Sequence, residues 1–247
     1  MYPVLFHIGG FSLYSWGFMV AVAFVVGIAV AMLRCQREGL SPEDVMDGAM
    51  YVLISAILGS RIFYVIGFWD YYRDNIWSVL AFWEGGMVFY GGLIFAMIAL
   101  FIWARVRKMD VMNILDLASP SVAIGYSIGR IGCFLRGCCY GVECHLPWAM
   151  HFPESQGFVH PTQIYSSLAG LGIFVALLII RDKKRYNGQV FVWGVILYSL
   201  YRFIIEFFRY NILHWGYFSP SQWISVGLLG FCSVLIVYKN FSRSSRG

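Results

Sequence analysis

Apolar residues in this chain of 247 amino acids fall into long runs separated by short polar stretches. A helix crosses the roughly 30 Å of bilayer hydrocarbon with about 20 residues. Seven runs have this length or nearly so: Leu13–Leu33, Asp47–Phe68, Met87–Val106, Val111–Ile128, Gln163–Ile180, Val190–Phe208 and Trp223–Tyr238. The pattern therefore predicts an all-α, polytopic integral membrane protein whose seven transmembrane helices form one domain over residues 1–247.

The composition supports this class. Hydrophobic residues make up 60% of the chain and charged residues only 13%, and the mean hydropathy is +0.69. A soluble domain carries about 25% charged residues, so an ordinary cytosolic globule and a disordered chain are both excluded. The net charge of +5 raises the question of nucleic acid binding. Because the basic residues lie in short clusters between apolar runs, with no continuous basic stripe, we expect no nucleic acid partner.

The distribution of positive charge predicts the orientation of the chain. Twelve of the 18 Lys and Arg residues lie at ends of the apolar runs that share one side of the membrane. These clusters occupy positions 34–46, 105–110, 181–187 and 239–246. The positive-inside rule then places the N-terminus outside and the C-terminus in the cytoplasm. Since residues 1–12 carry no positive charge, we expect the first run to be a retained span and not a cleaved signal peptide.

Two connections are predicted on the outer side. The segment 69–82 is rich in aromatic residues, which favour the membrane–water interface, so we expect it to lie along the outer interface. The segment 129–161 is rich in Gly, Cys and Pro and is expected to form a long outer-face loop.

Three arginines lie within or at the edge of the apolar runs: Arg61, Arg130 and Arg202. A charge near the bilayer centre costs from about 2.5 to more than 10 kcal/mol, so such a residue needs a compensating partner. Glu206 follows Arg202 by four positions on the same helix face, and Arg209 follows three positions later. Two interpretations stay open: internal ion pairs that only fix helix packing, or a cationic pocket for a phosphate or carboxylate. A phospholipid headgroup is the first anion available at that depth.

A cysteine-rich stretch raises the question of a metal site. Cys133, Cys138, Cys139, Cys144 and His145 have the spacing C-x4-C-C-x4-C-H, which fits no common zinc finger. One or two disulfides, or small buried thiols, are the alternatives in an oxidising outer compartment. We therefore expect no metal ligands here.

Two further patterns are typical of other functions. Gly125–Gly129 matches the G-x-S-x-G hydrolase pattern, but it lies at the end of an apolar span and not on a strand–turn–helix, so Ser127 is not expected to be a nucleophile. Seven spans also suggest a receptor or a retinal protein. The seventh run holds no lysine that could form a Schiff base, since Lys239 lies at its end, so a retinal protein is disfavoured.

Five segments, in this order along the chain, resemble motifs of the bacterial prolipoprotein diacylglyceryl transferase family. They are Gly59–Tyr64, Glu84–Ile94, Gly129–Gly141, His160–Tyr165 and Arg202–Arg209. Asp116 and Pro120 are similar to the motif of its fourth span. Together the motifs cover nearly the whole chain, which is more specific than any one of them.

The resemblance implies a reaction and its setting. The family transfers the diacylglyceryl group of phosphatidylglycerol to the lipobox cysteine thiol of a preprolipoprotein and releases glycerol phosphate. It implies no metal or dissociable cofactor, and it implies a multi-pass, monomeric enzyme of the bacterial inner (plasma) membrane that contacts membrane lipid. A non-catalytic or altered-acceptor lipid-binding paralogue on the same fold stays open as an alternative.

The resemblance also implies site residues. Arg130, Arg202 and Tyr90 are expected to be catalytic. Residues expected to bind substrate are Arg61, Gly91, Gly92, Cys133, Gly141, His160, Tyr198, Glu206 and Arg209. The chain departs from the family pattern at several positions, among them Trp16, Arg136 and Ser166. Tyr90 stands where members often carry His, and Cys133 and Cys138 stand where many carry Asn and Glu.

Overall fold

The computed structural model of the chain describes residues 1–8, 11–73, 76–80, 85–209 and 217–244. Its eight helices are α1 (Ser15–Met32), α2 (Pro42–Gly67), α3 (Trp69–Tyr72), α4 (Phe89–Val106), α5 (Val111–Arg136), α6 (Thr162–Asp182), α7 (Gln189–Ile205) and α8 (Pro220–Ser244). Short 3-10 turns occupy Cys35–Glu38, Ile76–Leu80 and Glu206–Phe208. Glu84, which opens the second motif, lies outside the described residues, as does the end of segment 69–82.

Six of these helices are long and apolar enough to cross a bilayer. They are α1, α2, α4, α5, α6 and α7 with its 3-10 extension to Phe208. The prediction of a mostly helical, multi-pass membrane protein is therefore confirmed. Within the described residues α8 has a shorter apolar stretch, Pro220–Leu235, so a seventh span and the orientation of the termini stay predictions.

The expected boundary of the loop 129–161 was wrong at its start. Helix α5 continues through Gly129 and ends only at Arg136, so the glycines at its end do not break it. Gly132 instead lets α5 approach α1, because a Cβ there would lie 2.9 Å from the Cβ of Met19. The helix stops at Gly137, whose φ of +83° belongs to the left-handed region. The N–H of Gly137 donates to the Cys133 carbonyl at 3.0 Å.

Strands are a second feature that the hydropathy pattern did not predict. β1 (Val4–Ile8) pairs antiparallel with β2 (Phe11–Tyr14), and β3 (Met150–His151) pairs antiparallel with β4 (Phe158–Val159). These strands are too short to leave a clear alternation of apolar and polar residues. The second pair lies in the connection between α5 and α6, where it shapes the segment that follows the third motif.

Residues 32–114 form one compact unit. Its helix α2 begins at a capping box in which the Ser41 hydroxyl accepts the N–H of Asp44 and the Asp44 carboxylate accepts the N–H of Ser41. Helices α2 and α4 pack closely where Gly59 faces Gly91. A Cβ built on Gly59 would lie 2.4 Å from Phe95 and 2.6 Å from the Gly91 carbonyl oxygen. Such close approach of two backbones is the usual role of glycine between membrane helices.

Residues 1–31 and 115–247 form the other compact unit. Within it Asp116 is fully buried on α5 and accepts the N–H groups of Gly188 and Phe191 at 2.7 and 2.8 Å. Lys184 pairs with the same carboxylate at 2.9 Å. Asp116 therefore caps the positive N-terminal end of α7 from a neighbouring helix, and its charge is compensated without any ligand.

Replacing Gly59 by alanine tests the packing of α2 on α4. The added methyl group meets backbone and a ring within 2.6 Å, so we expect Gly59→Ala to lower the free energy of unfolding by about 1–3 kcal/mol. Thermal unfolding in detergent measures the change. Gly67→Ala is the matched control, because a Cβ at Gly67 has no atom within 4 Å. Equal stability of the two variants would contradict the close helix contact.

Candidate functional site

Arg202 lies near the end of α7, where a carboxylate and a hydroxyl fix its side chain. Its Nη1 pairs with Glu206 Oε2 at 2.8 Å, and its Nη2 donates to Ser221 Oγ at 2.9 Å. Glu206 is only 5% exposed, and its Oε1 accepts the Ser219 hydroxyl at 2.9 Å. The expected i, i+4 pair is therefore present, and the start of α8 holds it in place.

Helix α8 begins at a reciprocal capping box that supplies these serines. The Ser219 N–H donates to Gln222 Oε1 at 2.9 Å, and the Gln222 N–H donates to Ser219 Oγ at 3.3 Å. Pro220 occupies the first helical position, where its missing N–H costs nothing. The hydroxyl that caps the helix also holds Glu206, so the cap and the ion pair depend on each other.

Arg130 lies on the last turns of α5 beside a cluster of tyrosines. Its guanidinium carbon is 4.9 Å from the centroid of the Tyr126 ring, a cation–π contact. The Tyr126 and Tyr201 hydroxyls are 3.0 Å apart, and Tyr201 donates to Ser166 Oγ at 2.5 Å. These bonds connect α5, α6 and α7 directly behind Arg130.

Positive charge converges near this cluster. Arg130, Arg202 and Arg209 all lie within electrostatic range of the Tyr198 hydroxyl. Arg202 has Glu206 as its partner. Among the residues that the structure describes, neither Arg130 nor Arg209 forms an ion pair with a carboxylate. The group therefore has two more positive than negative charges, which favours a bound anion over a purely internal salt bridge network.

Gly141 joins three of the motifs through its backbone. Its N–H donates to the His160 carbonyl at 2.9 Å, and the residue forms an isolated β-bridge with Arg209. The next residue, Val142, donates to the Phe208 carbonyl at 3.0 Å. A Cβ on Gly141 would lie 2.2 Å from that carbonyl oxygen. Only glycine fits there, so the end of the third motif, Gly129–Gly141, positions both His160 and Arg209.

His160 is half-buried among aromatic rings. Its Nδ1 lies 3.3 Å from the Tyr165 hydroxyl, and its ring meets the Phe208 ring edge to face, with the centroids 5.2 Å apart. The Trp148 Nε1–H donates to the same Tyr165 hydroxyl at 2.7 Å. This arrangement ties His160 to the chain segment that carries Arg209.

Three of the five cysteine and histidine side chains singled out in the sequence come together here. The Sγ atoms of Cys133, Cys138 and Cys139 all lie within 4.8 Å of one another. No disulfide joins any of the six cysteines, all of which are among the described residues. Hydrogen bonds with the other two thiols, followed by the charges of Arg130 and Arg209, hold the pKa of the Cys139 thiol well below its usual range. Of the two alternatives to a metal site that the sequence left open, disulfides and free thiols, the structure has free thiols.

Arg61 belongs to the unit formed by residues 32–114, where it holds a loop. It is 3% exposed, and its guanidinium donates to the carbonyls of Val79, Ser78, Gly85 and Gly86 at 2.5–3.1 Å. The rings of Tyr64 and Tyr72 lie 5.9 and 5.3 Å from its Cζ. This geometry makes Arg61 the residue that positions the chain leading into α4.

The other expected site residues of that unit lie at the start of α4. Gly91 and Gly92 are buried against α2, and a Cβ on Gly92 would lie 3.0 Å from the Ala56 carbonyl. Tyr90 is 71% exposed and contacts the ring of Phe89. The two glycines therefore take part in the contact between α2 and α4, and Tyr90 is largely exposed.

Ser127 lies within a helix and not on a sharp turn, as its position in an apolar run predicted. It lies inside α5, is 6% exposed, and donates to the Ser167 carbonyl at 2.7 Å. No strand–turn–helix surrounds it in the described part of the chain, so the hydrolase pattern has no structural counterpart here.

Some residues of the site were missed by the sequence analysis. Ser219 and Ser221 support Glu206 and Arg202, and the spacing S-x-x-Q of Ser219 and Gln222 was the available signal for a helix start. The hydrogen bond between Tyr126 and Tyr201 left no signal, because it joins residues 75 positions apart.

Comparisons with known proteins agree with the motifs. Residues 3–238 match the family model described as prolipoprotein diacylglyceryl transferase. Several curated relatives carry the name phosphatidylglycerol–prolipoprotein diacylglyceryl transferase, among them proteins of the following three bacteria. The Finegoldia magna protein is 33% identical over 92% of this chain and 91% of its own length. The Listeria welshimeri protein is 34% identical over 98% and 91%. The Clostridioides difficile protein is 31% identical over 98% and 96%.

A family match over nearly the whole chain defines the class of protein. The chain belongs to the prolipoprotein diacylglyceryl transferase family. The motifs that the structure brings together around Gly141 and Arg202 lie inside the matched region.

Alanine at position 141 tests the backbone junction of the site. The methyl group collides with the Phe208 carbonyl, Thr162 and His160, so we expect Gly141→Ala to displace Arg209 and to lower transferase activity at least tenfold. The assay measures lipid transfer to a peptide acceptor in detergent. Gly172→Ala on α6 is the control, since its Cβ meets no atom within 4 Å. If Gly141→Ala has the same activity as this control, the backbone contact at Gly141 does not position Arg209 for transfer.

Proposed function

We propose that this chain transfers the diacylglyceryl group of phosphatidylglycerol to the lipobox cysteine thiol of prolipoproteins and releases glycerol phosphate. The observation that carries the proposal is that Arg130, Arg202 and Arg209 all lie within electrostatic range of Tyr198, while in the described part of the chain only Arg202 pairs with a carboxylate, that of Glu206. The names of the curated relatives support the same donor lipid and the same acceptor.

The arginines suit a phosphodiester that leaves during the reaction. A guanidinium presents paired N–H donors to two oxygens of one phosphate. Glu206 and Ser221 fix the orientation of the Arg202 fork before substrate arrives. As the bond between the glyceryl carbon and the phosphate oxygen breaks, negative charge grows on phosphate. Donors aimed at that charge stabilise the transition state more than the bound lipid.

The reaction is balanced without a covalent enzyme intermediate. The acceptor thiol loses a proton, and its sulfur attacks the glyceryl carbon that bears the phosphate. A carbon–sulfur bond forms, the carbon–oxygen bond breaks, and glycerol phosphate leaves with the electron pair. Tyr90 is the proposed proton acceptor on the chain, and Cys133, Gly91, Gly92 and His160 are proposed to line the substrates.

The setting is part of the proposal. We place the chain in the bacterial inner membrane as a monomer with seven spans, α8 being the seventh. The connection 137–161 and the described part of the aromatic segment 69–82 are proposed to lie on the outer side, so the arginine group would face the outer leaflet, where the lipobox cysteine of an exported protein arrives. The basic clusters at alternate ends of the spans support this orientation.

Reporter fusions test the orientation. The positive clusters predict that a reporter active only outside the cytoplasm works at the N-terminus, and that one active only inside works at the C-terminus. Fusions after Arg107 and after Lys184 are internal controls and should behave like the C-terminal fusion. The opposite activity at either terminus would contradict the topology.

Lysine substitutions test the phosphate site. A lysine keeps the charge but loses the planar fork, so we expect Arg130→Lys and Arg202→Lys each to lower kcat by about 10²–10³, the usual cost of removing one donor from such a site. Lipid transfer to a lipobox peptide is assayed in detergent, and monodisperse elution checks folding.

A charge-conserving change outside the site provides the comparison. Arg73 pairs with Asp70 at 3.2 Å on a largely exposed surface, and Arg73→Lys should retain the wild-type kcat. Wild-type turnover in both site variants would show that the arginines do not hold the leaving phosphate. If the wild-type protein binds phosphatidylglycerol but transfers no lipid to the peptide, the chain is instead a lipid-binding paralogue.

A further inference from the structure

A cavity of about 470 Å³ lies where α6 ends and α7 begins. Small-ligand sites in proteins occupy about 300–1,000 Å³, so the cavity has the size of such a site. The end of α6 contributes Ile179 and Ile180 to its lining, α7 contributes Trp193, and the turn between the helices contributes Lys183 and Arg185. The described residues that line the cavity include no acidic side chain.

The cavity is separate from the arginine group. Helix α6 begins at Thr162, two positions after His160, and ends at Asp182 beside the cavity. Its 21 residues span roughly 30 Å at the usual helical rise, which is also the thickness of the bilayer hydrocarbon. The cavity and His160 therefore lie near opposite ends of one candidate membrane span.

Internal contacts fix the turn that carries the basic residues. The Lys184 ammonium pairs with the buried Asp116 carboxylate at 2.9 Å, and the Arg185 N–H donates to Gln189 Oε1 at 2.7 Å. Of three consecutive basic residues, the middle one therefore pairs inside the protein, whereas Lys183 and Arg185 line the cavity. The cationic lining is thus set by the fold and not only by the local sequence.

The cavity combines positive charge with exposed hydrocarbon. Lys183 is exposed and forms no ion pair with a carboxylate in the described part of the chain. Ile179 is 57% exposed, and Trp193 is half-buried. A free phosphate would satisfy the charge and leave the apolar wall uncovered. An occupant that carries both an anionic group and hydrocarbon matches both parts of the lining.

We propose that this cavity binds one anionic glycerophospholipid from the adjacent leaflet, with its phosphate at Lys183 and Arg185 and an acyl chain along Ile179 and Trp193. Basic pockets between membrane helices are typical sites for anionic headgroups. The positive clusters predict that this end of α6 faces the cytoplasm, so the lipid belongs to the inner leaflet. The inference does not rest on the proposed function, because it requires only that α6 and α7 span the membrane.

Fluorescence quenching at Trp193 tests the site without any transfer assay. The purified full chain is placed in phosphatidylcholine vesicles with increasing fractions of phosphatidylglycerol whose acyl chains carry bromine, which quenches indole fluorescence only at close range. Subtracting the signal of Trp193→Phe isolates this residue among the nine tryptophans. We expect half-maximal quenching at a mole fraction lower than that of brominated phosphatidylcholine by about tenfold or more, because two basic side chains act on one phosphate.

Neutral substitutions test the role of the two basic residues. Lys183→Gln and Arg185→Gln should each lower the preference for phosphatidylglycerol by about fivefold, the usual effect of one positive charge near a membrane surface. Lys108→Gln is the matched control, because it removes a charge from another basic turn that does not line the cavity. This control should keep the wild-type preference, and 1 M NaCl should reduce that preference by screening the charges.

Three results would overturn the proposal. Equal quenching by the two brominated lipids in the wild-type protein would show that the cavity does not select an anionic lipid. An equal loss in Lys108→Gln and Lys183→Gln would assign the preference to general surface charge. Relief of quenching by soluble glycerol phosphate would assign the cavity to a free phosphate. Lipid transfer to a lipobox peptide, measured on the same samples, tests the proposed function separately, since the signal at Trp193 does not depend on turnover.

Discussion

The ion pair between Arg202 and Glu206 is the interaction on which the rest of the site depends. It lies at the end of a membrane helix, where an unpaired charge of either sign would be costly. Glu206 is almost fully buried, and the serine that begins α8 also hydrogen-bonds to it. These contacts fix the end of α7, the start of α8 and the Arg202 guanidinium relative to one another. Arg130 and Arg209 have no carboxylate partner in the described part of the chain. The site therefore has excess positive charge that favours binding of an anion.

The second constraint is the close backbone contact at Gly141. The residue pairs with His160 on one side and with Arg209 on the other. These partners come from three motifs separated by many residues in sequence, and no side chain fits between them. Through this contact the motifs that contain Gly141, His160 and Arg209 lie next to one another in the fold. Arg130 and Arg209 also lie within electrostatic range of Cys139, one of the three clustered thiols.

Much of this could be predicted from the sequence, for physical reasons. Long apolar runs predict spans because a bilayer leaves the backbone few alternatives to a helix. Arginines in such runs indicate function because their burial is expensive, and the pair Arg202–Glu206 followed from helix periodicity. The continuation of α5 to Arg136 was missed, because glycines that usually end a helix here allow it to pack against α1.

The sequence singled out the cysteines and Arg61, but it did not indicate which thiols meet or which groups Arg61 binds. Both depend on the path of a loop: the turn after Gly137 folds two cysteines back on Cys133, and the chain before α4 surrounds Arg61 with carbonyl oxygens. Side chains that meet through such turns are set by tertiary packing and not by a repeat of apolar positions.

The most direct test of the central claim is to follow both products of the reaction. The purified chain is incubated with vesicles containing phosphatidylglycerol and a lipobox peptide, and mass spectrometry measures the modified peptide and the released glycerol phosphate. We predict that the peptide gains one diacylglyceryl group through a thioether, and that glycerol phosphate appears in equal amount. Vesicles with phosphatidylethanolamine as the sole phospholipid should give neither product. An unmodified peptide in the presence of phosphatidylglycerol would contradict the account.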